Sequence, residues 1–277
     1  MEQIILPSKI EIQKGKIPNE EIIVIEPCYY GYGTTLGNVL RRVLLSSLPG
    51  AAVTAVKIKG VQHEFSTIPH VREDLMEIIL NLKQLRLKVF TDEVVRLFLK
   101  AKGEREVKAK DIEKDANVQI VNPDLHLAAL TSKDADLEME IFVSRGRGYV
   151  PTEAREGEKL EIGTIGVDAI FTPIRNVGVK VEPVRVGRIT NYDKIILNIE
   201  TDGTITPFEA LIQSVQILID HFNLIKDQLS GKPAKEAEAP KIEKKEEVIS
   251  EEAKEEVKKE EAKEVKKKRG RPKKVKS

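Results

Sequence analysis

A helix with more apolar surface than one subunit can bury is written into Gly31-Tyr32-Gly33-Thr34-Thr35-Leu36-Gly37-Asn38-Val39-Leu40-Arg41-Arg42-Val43-Leu44-Leu45-Ser46-Ser47-Leu48-Pro49-Gly50. Leu36, Leu40, Val43 and Leu44 fall at the i, i+4, i+7, i+8 spacing of one buried stripe, and Val39, Leu45 and Leu48 widen the apolar arc past it. Thr34 or Thr35 is the expected N-cap. Pro49-Gly50 is the expected stop, through a missing donor and access to positive φ. The second apolar face calls for a partner. A buried homo-oligomer interface satisfies it and leaves Arg41 and Arg42 for a further, acidic or carbonyl-rich protein.

A second helix of the same kind is expected from Pro207, which suits a first helical position. Phe208, Leu211, Ile212, Val215, Leu218, Ile219, Phe222 and Ile225 recur there at steps of three or four. Two such helices per subunit, meeting their symmetry mates, make a four-helix seam that closes a two-fold dimer, with Leu36, Leu40, Val43, Leu211, Val215, Leu218 and Phe222 as its candidates. Periodicity does not by itself separate that seam from an ordinary monomeric core of helices on a sheet.

Between the helices the pattern changes to short strands. Leu85, Leu87, Val89 and then Val95, Leu97, Leu99 alternate around a Thr91-Asp92-Glu93 turn, and Leu137, Met139, Ile141, Val143 alternate later, as half-buried antiparallel strands do. One helix interrupts them, with Leu75, Ile78, Ile79 and Leu82 on a single face and Lys83 at its C-terminal end. The expected fold class is therefore α+β. Residues 1–50 and 174–230 form a discontinuous dimerisation domain of antiparallel sheet and two long helices, residues 51–173 an inserted mainly-β domain, and residues 231–277 a disordered charged tail.

Gly31-x-Gly33-x-x-x-Gly37 after the strand-like Glu21-Ile22-Ile23-Val24-Ile25-Glu26 is a loose dinucleotide fingerprint. The position that should hold a ribose carboxylate instead reads Val56-Lys57-Ile58-Lys59-Gly60, and no alternation of strand and helix follows. His63, His70, His126 and His221 have neither H-x-x-x-H spacing nor a cysteine pair beside them, and there is no P-loop or nucleophile elbow. Neither a catalytic residue nor a metal ligand set is expected. Arg145-Gly146-Arg147-Gly148-Tyr149-Val150-Pro151 has the composition of a phosphate cradle, but a glycine-rich loop leaving the Ile141-Phe142-Val143 strand is the simpler expectation.

Composition divides the chain in two. Residues 1–230 carry 29 Lys+Arg against 33 Asp+Glu, and residues 231–277 carry 17 against 12. A single cysteine, Cys28, no apolar run of membrane-spanning length and no basic leader at Met1 point to the cytoplasm. The last twelve residues hold eight basic side chains and no acid, and Arg269-Gly270-Arg271-Pro272 within them resembles an AT-hook. In such a motif arginines enter the narrow A·T minor groove, glycine permits close approach and proline keeps the backbone extended. A generic basic tail held by counterion release is the alternative.

Taken in order, these segments resemble the bacterial RNA polymerase alpha subunit, specifically its N-terminal assembly domain. The resemblance is carried by Gly31 through Arg42, His63-Glu64-Phe65-Ser66-Thr67, Ile79-Leu80-Asn81-Leu82-Lys83, Arg145 through Pro151, Val167-Asp168-Ala169 and Glu200-Thr201-Asp202-Gly203-Thr204-Ile205-Thr206-Pro207. It implies a homodimer that nucleates assembly of the beta and beta prime subunits, with omega and sigma in the complete enzyme and the active-site magnesium in the catalytic subunits rather than in this chain. Position by position, it places Tyr32, Leu36 and Val43 in the dimer interface, Arg42 against beta, and Leu45, Lys83 and Val167 against beta prime. The helical C-terminal domain usual in the family, which binds upstream promoter DNA, has no counterpart after Ser230. The low-complexity tail stands in its place, with A·T-rich DNA as its implied partner. The rival class is a free-standing, nucleoid-associated DNA-binding protein whose body serves another purpose.

Overall fold

The computed structural model describes residues 4–61, 63–155, 161, 163–187 and 189–230. The chain begins β1 (Lys9–Lys14), β2 (Glu20–Cys28), α1 (Tyr32–Ser46), β3 (Pro49–Ile58) and α2 (Leu75–Lys83). Short strands follow as β4 (Leu87–Val89), β5 (Val95–Lys102), β6 (Arg105–Lys108), β7 (Val118–Ile120), β8 (His126–Leu130), β9 (Asp136–Arg147), β10 (Tyr149–Val150), β11 (Thr164–Gly166) and β12 (Ala169–Ile170). Two long strands, β13 (Ile174–Val186) and β14 (Ile189–Thr201), lead to α3 (Pro207–Leu229). The class is α+β.

Two sheets organise residues 4–223. The first is antiparallel throughout, in the order β1-β2-β14-β13, and it gathers a core of Ile23, Leu44, Val177, Ile195, Leu197 and Ile199 with α1 and the start of α3. The second, β11-β3-β9-β5, shares its core with α2 and with the ribbons β4·β7 and β6·β8. Alternation sets which way each strand faces. Val95, Leu97, Leu99 and Ala101 of β5 and Leu137, Met139, Ile141 and Val143 of β9 all point inward, while their neighbours Arg96, Phe98 and Lys100 stay exposed.

α2 forms as its sequence dictates. Asp74 Oδ1 accepts the Glu77 N–H at 2.8 Å, Leu75, Ile78, Ile79 and Leu82 are buried, and Lys83 occupies the last turn. The first turn of α3 is closed by a reciprocal pair: the Glu209 N–H donates to Thr206 Oγ1 at 3.3 Å and the Thr206 N–H to Glu209 Oε2 at 3.2 Å.

Four local expectations change. α1 is capped by Gly31, at φ 81° and without a side-chain bond, so Thr34 and Thr35 lie inside the helix. The helix ends at Ser46, and Pro49 and Gly50 open β3, which puts the expected boundary at residue 51 inside a strand. The strands flanking Thr91-Asp92-Glu93 do not pair with each other: β4 pairs with β7 and β5 with β9, because alternation specifies a face and not a partner. Arg145, Gly146 and Arg147 are not a loop but the end of β9, opposite Pro49, Gly50 and Ala51 of β3. A Cβ on Gly146 would stand 2.6 Å from the Phe171 ring, so the glycine serves close packing there. Residues 231–277, with Arg269, Gly270, Arg271 and Pro272, lie outside the described part.

Candidate assembly surfaces

The glycines of α1 let the helix lie flat on the sheet. A Cβ on Gly33 would stand 2.7 Å from Asp193 Cβ, and one on Gly37 2.7 Å from Val179 Cγ1, so only glycine fits at either place. The Gly33 N–H also donates to Asp193 Oδ2 at 2.9 Å, which fills the anion-seeking helix N-terminus with the protein's own carboxylate. The spacing that mimics a dinucleotide fingerprint is thus a packing device.

Setting α1 down on Gly33, Gly37, Leu40 and Leu44 turns Tyr32 and Leu36 outward, with Val39 and Val43 half-buried along the same side. α3 behaves alike. Pro207, Ala210, Leu211 and Ser214 face the core, while Phe208, Ile212, Val215, Ile219 and Phe222 form an exposed stripe at helical spacing, and Phe222 is 63% exposed. An exposed apolar stripe of that size is the kind of surface at which proteins associate.

The seam candidates therefore divide. Tyr32, Leu36, Val215 and Phe222 are exposed, and Val43 is half-buried. Leu40 and Leu211 belong to this subunit's own core, and Leu218 packs against that core's edge. Phe208, Ile212 and Ile219 are the positions the candidate set lacked. The signal for them was a second period along α3, but which of two apolar arcs faces inward depends on where the sheet lies.

The large-subunit candidates fall in two places. Arg42 stands exposed on α1 without an ion pair among the described residues, and Leu45, one turn on, is half-buried against the helical core. Arg41, by contrast, is anchored, its Nε donating to the Val177 carbonyl at 3.1 Å. Lys83 and Val167 meet instead in a groove of about 400 Å³ beside Met76, Leu80 and Glu153. Val167 is only 2% exposed, so its side chain supports the groove from beneath and presents no contact of its own. The polar face there is the half-buried Lys83–Asp168 pair at 3.2 Å. The Thr152 N–H, at 3.1 Å, is the main reason the Asp168 carboxyl lies below the usual range, with the Thr152 hydroxyl and Lys83 helping against partial burial.

His63 and Ser66 share a hydrogen bond at 3.2 Å in an exposed turn. His126 sits between Glu73 and Glu106, with each ring nitrogen 3.0 Å from a carboxylate oxygen. Among the described residues no three His, Cys, Asp or Glu side chains converge as a metal site, and no helix is long and apolar enough to cross a membrane.

Comparison with known proteins agrees on one family. Residues 56–172 match the RNA polymerase Rpb3/RpoA insert domain. A relative from Alkaliphilus oremlandii (strain OhILAs), named DNA-directed RNA polymerase subunit alpha, is 48% identical over 224 residues, covering 78% of this chain and 70% of the relative.

Proposed function

The chain belongs to the bacterial RNA polymerase alpha-subunit family, and from that premise we propose that it is a homodimeric scaffold on which the beta and beta prime subunits assemble. The observation that carries this reading is the pair of unpartnered apolar stripes on α1 and α3. An isologous dimer covers both at once, since each stripe meets its own copy or its neighbour's across a two-fold axis. The chain brings no catalytic group and no metal to a nucleotidyltransferase whose chemistry and magnesium belong to the larger subunits, in the cytoplasm where transcription occurs.

Arg42 and Leu45 on α1, and the Lys83–Asp168 groove, are the surfaces left for those subunits. A symmetric dimer offers each of them twice, so two different partners must each exclude a second copy of themselves. Arg42→Ala should leave the dimer intact and sharply reduce co-purification with beta; unchanged recovery would remove Arg42 from that contact. The complete enzyme, with omega and sigma, is then tethered to A·T-rich upstream DNA through Arg269-Gly270-Arg271-Pro272. Fluorescence anisotropy of residues 231–277 on A·T-rich and G·C-rich duplexes should show an A·T preference that persists at physiological salt. Equal affinities collapsing together with salt would reduce the tail to counterion release.

A further inference from the structure

We propose that the polar groove of about 640 Å³ bounded by residues 84–86, 122–125 and 170–175 binds an oxyanion of the phosphate class, with Arg86 and Arg175 as its two anchors. The site lies apart from the α1 and α3 stripes and draws on no part of the scaffold reading.

The frame around Arg86 is rigid. Its N–H donates to Asn122 Oδ1 at 2.8 Å, its carbonyl accepts from the Val121 N–H at 2.9 Å, and Asn122 Nδ2 donates to the Gln84 carbonyl at 3.0 Å. The side chain is 21% exposed, yet the nearest carboxylate, Asp202 Oδ2, is 4.0 Å away. Asp202 is shared, because its Oδ1 accepts from both the N–H and the hydroxyl of Thr204 while Oδ2 faces Arg86. Arg86 Nε is out of solvent and has no hydrogen-bond partner among the described residues.

Arg175, exposed and without an ion pair among those residues, lines the same groove. Burial draws the Arg86 pKa down, Asp202 opposes this, and the Arg175 charge adds to it, so the two guanidinium groups act on one another across the groove. Thr172 Oγ1 accepts from the Ile174 N–H at 3.3 Å, which leaves its own O–H to donate into the groove. Two guanidinium forks and a hydroxyl facing one polar space match a tetrahedral dianion better than a single carboxylate, which would balance only one of the two charges.

The test is a ³¹P NMR titration of the intact chain with inorganic phosphate, repeated with adenosine monophosphate, in phosphate-free buffer at constant ionic strength. Saturable binding is expected, weakened at least tenfold by Arg175→Gln, a surface change that leaves the fold alone. Arg86→Lys should weaken it similarly by keeping the charge and losing the fork. Tighter binding of the monoester than of inorganic phosphate would assign the phosphate to a nucleotide, and the reverse to the free ion. Either order supports the site. No saturation with either anion, or equal binding in the wild type and Arg175→Gln, overturns it.

Discussion

In the lobe built on β11-β3-β9-β5, the insert lobe, 29 buried apolar side chains among the described residues close into one continuous core, and all four apolar positions on the inner face of α2 go into it. The lobe built on β1-β2-β14-β13 with α1 and α3, the helical lobe, gathers only 12 among the described residues, and it leaves Tyr32 and Leu36 of α1 and five large apolar side chains of α3, from Phe208 to Phe222, in solvent. Both lobes contain an antiparallel sheet with helices packed on it. They differ in what the helices have to cover. α2 is a nine-residue helix that buries four apolar side chains and leaves only Met76 and Leu80 exposed, whereas α1 and α3, of 15 and 23 residues, carry longer outer apolar arcs. One sheet face can take only one arc of each long helix, so the remainder stays exposed.

The sharpest way to break that contrast is to charge the stripe. Ile212→Asp together with Phe222→Asp should convert the proposed dimer to monomer at micromolar concentration, a loss of several kcal/mol if the two side chains sit at the centre of that interface. The circular dichroism of the subunit should be preserved. Light scattering that still reports a dimer would place the interface elsewhere.

The complementary change acts on the closed lobe. Leu137 is fully buried in β9, and Leu137→Ala should cost about 2–5 kcal/mol of unfolding free energy while leaving the dimer mass unchanged at low temperature. Denaturant unfolding together with light scattering measures both. Loss of the dimer in step with loss of stability would show that the lobes are not separable.

A smaller effect is expected in acid. Burial alone would raise the Glu73 carboxyl, but the Ala129 N–H, His126 and Arg72 together hold it below the usual range. A carboxyl lowered in the folded state contributes stability that is complete above its unfolded value, about 4.3, and is lost as the pH falls through the folded one. Thermal unfolding between pH 5 and pH 3, both rough bounds on that window, should show a shallower pH dependence in Glu73→Gln than in the wild type. Identical slopes would mean that other carboxylates carry the acid lability. The effect should fall on the insert lobe, since Glu73 precedes the Asp74 cap of α2 and binds β8, with Ala129 as its backbone partner.

Legibility in the sequence followed the range of the forces involved. The inner face of α2 and its C-terminal Lys83 were readable because both are local signals, while the Asp74 cap emerged only from the structure. β9 was readable as a strand with the correct inward face, but its continuation through Arg147 was not, since glycine beside arginine signals a loop until Phe171 is known to lie against Gly146. The Thr91-Asp92-Glu93 turn was readable and its hairpin was not, because strand partners are chosen by long-range packing. Of the candidate site, Arg42 and Lys83 came from family motifs, and the structure leaves Arg42 exposed on α1 and pairs Lys83 with Asp168 in a groove. The Arg86 and Arg175 groove carried no sequence signal at all, since its anchors are 89 residues apart and meet only through the fold.

The amino-acid sequence by itself determined that α1 and α3 carry more apolar surface than one sheet can cover, and that the strands between them alternate toward a single core. Those properties follow from periods of 3.6 and 2 residues, which are local. Only the tertiary structure decided which arc of each helix turned inward. Gly33 and Gly37 had to find Asp193 and Val179 across some 150 residues of chain before Leu40 became core and Leu36 became surface.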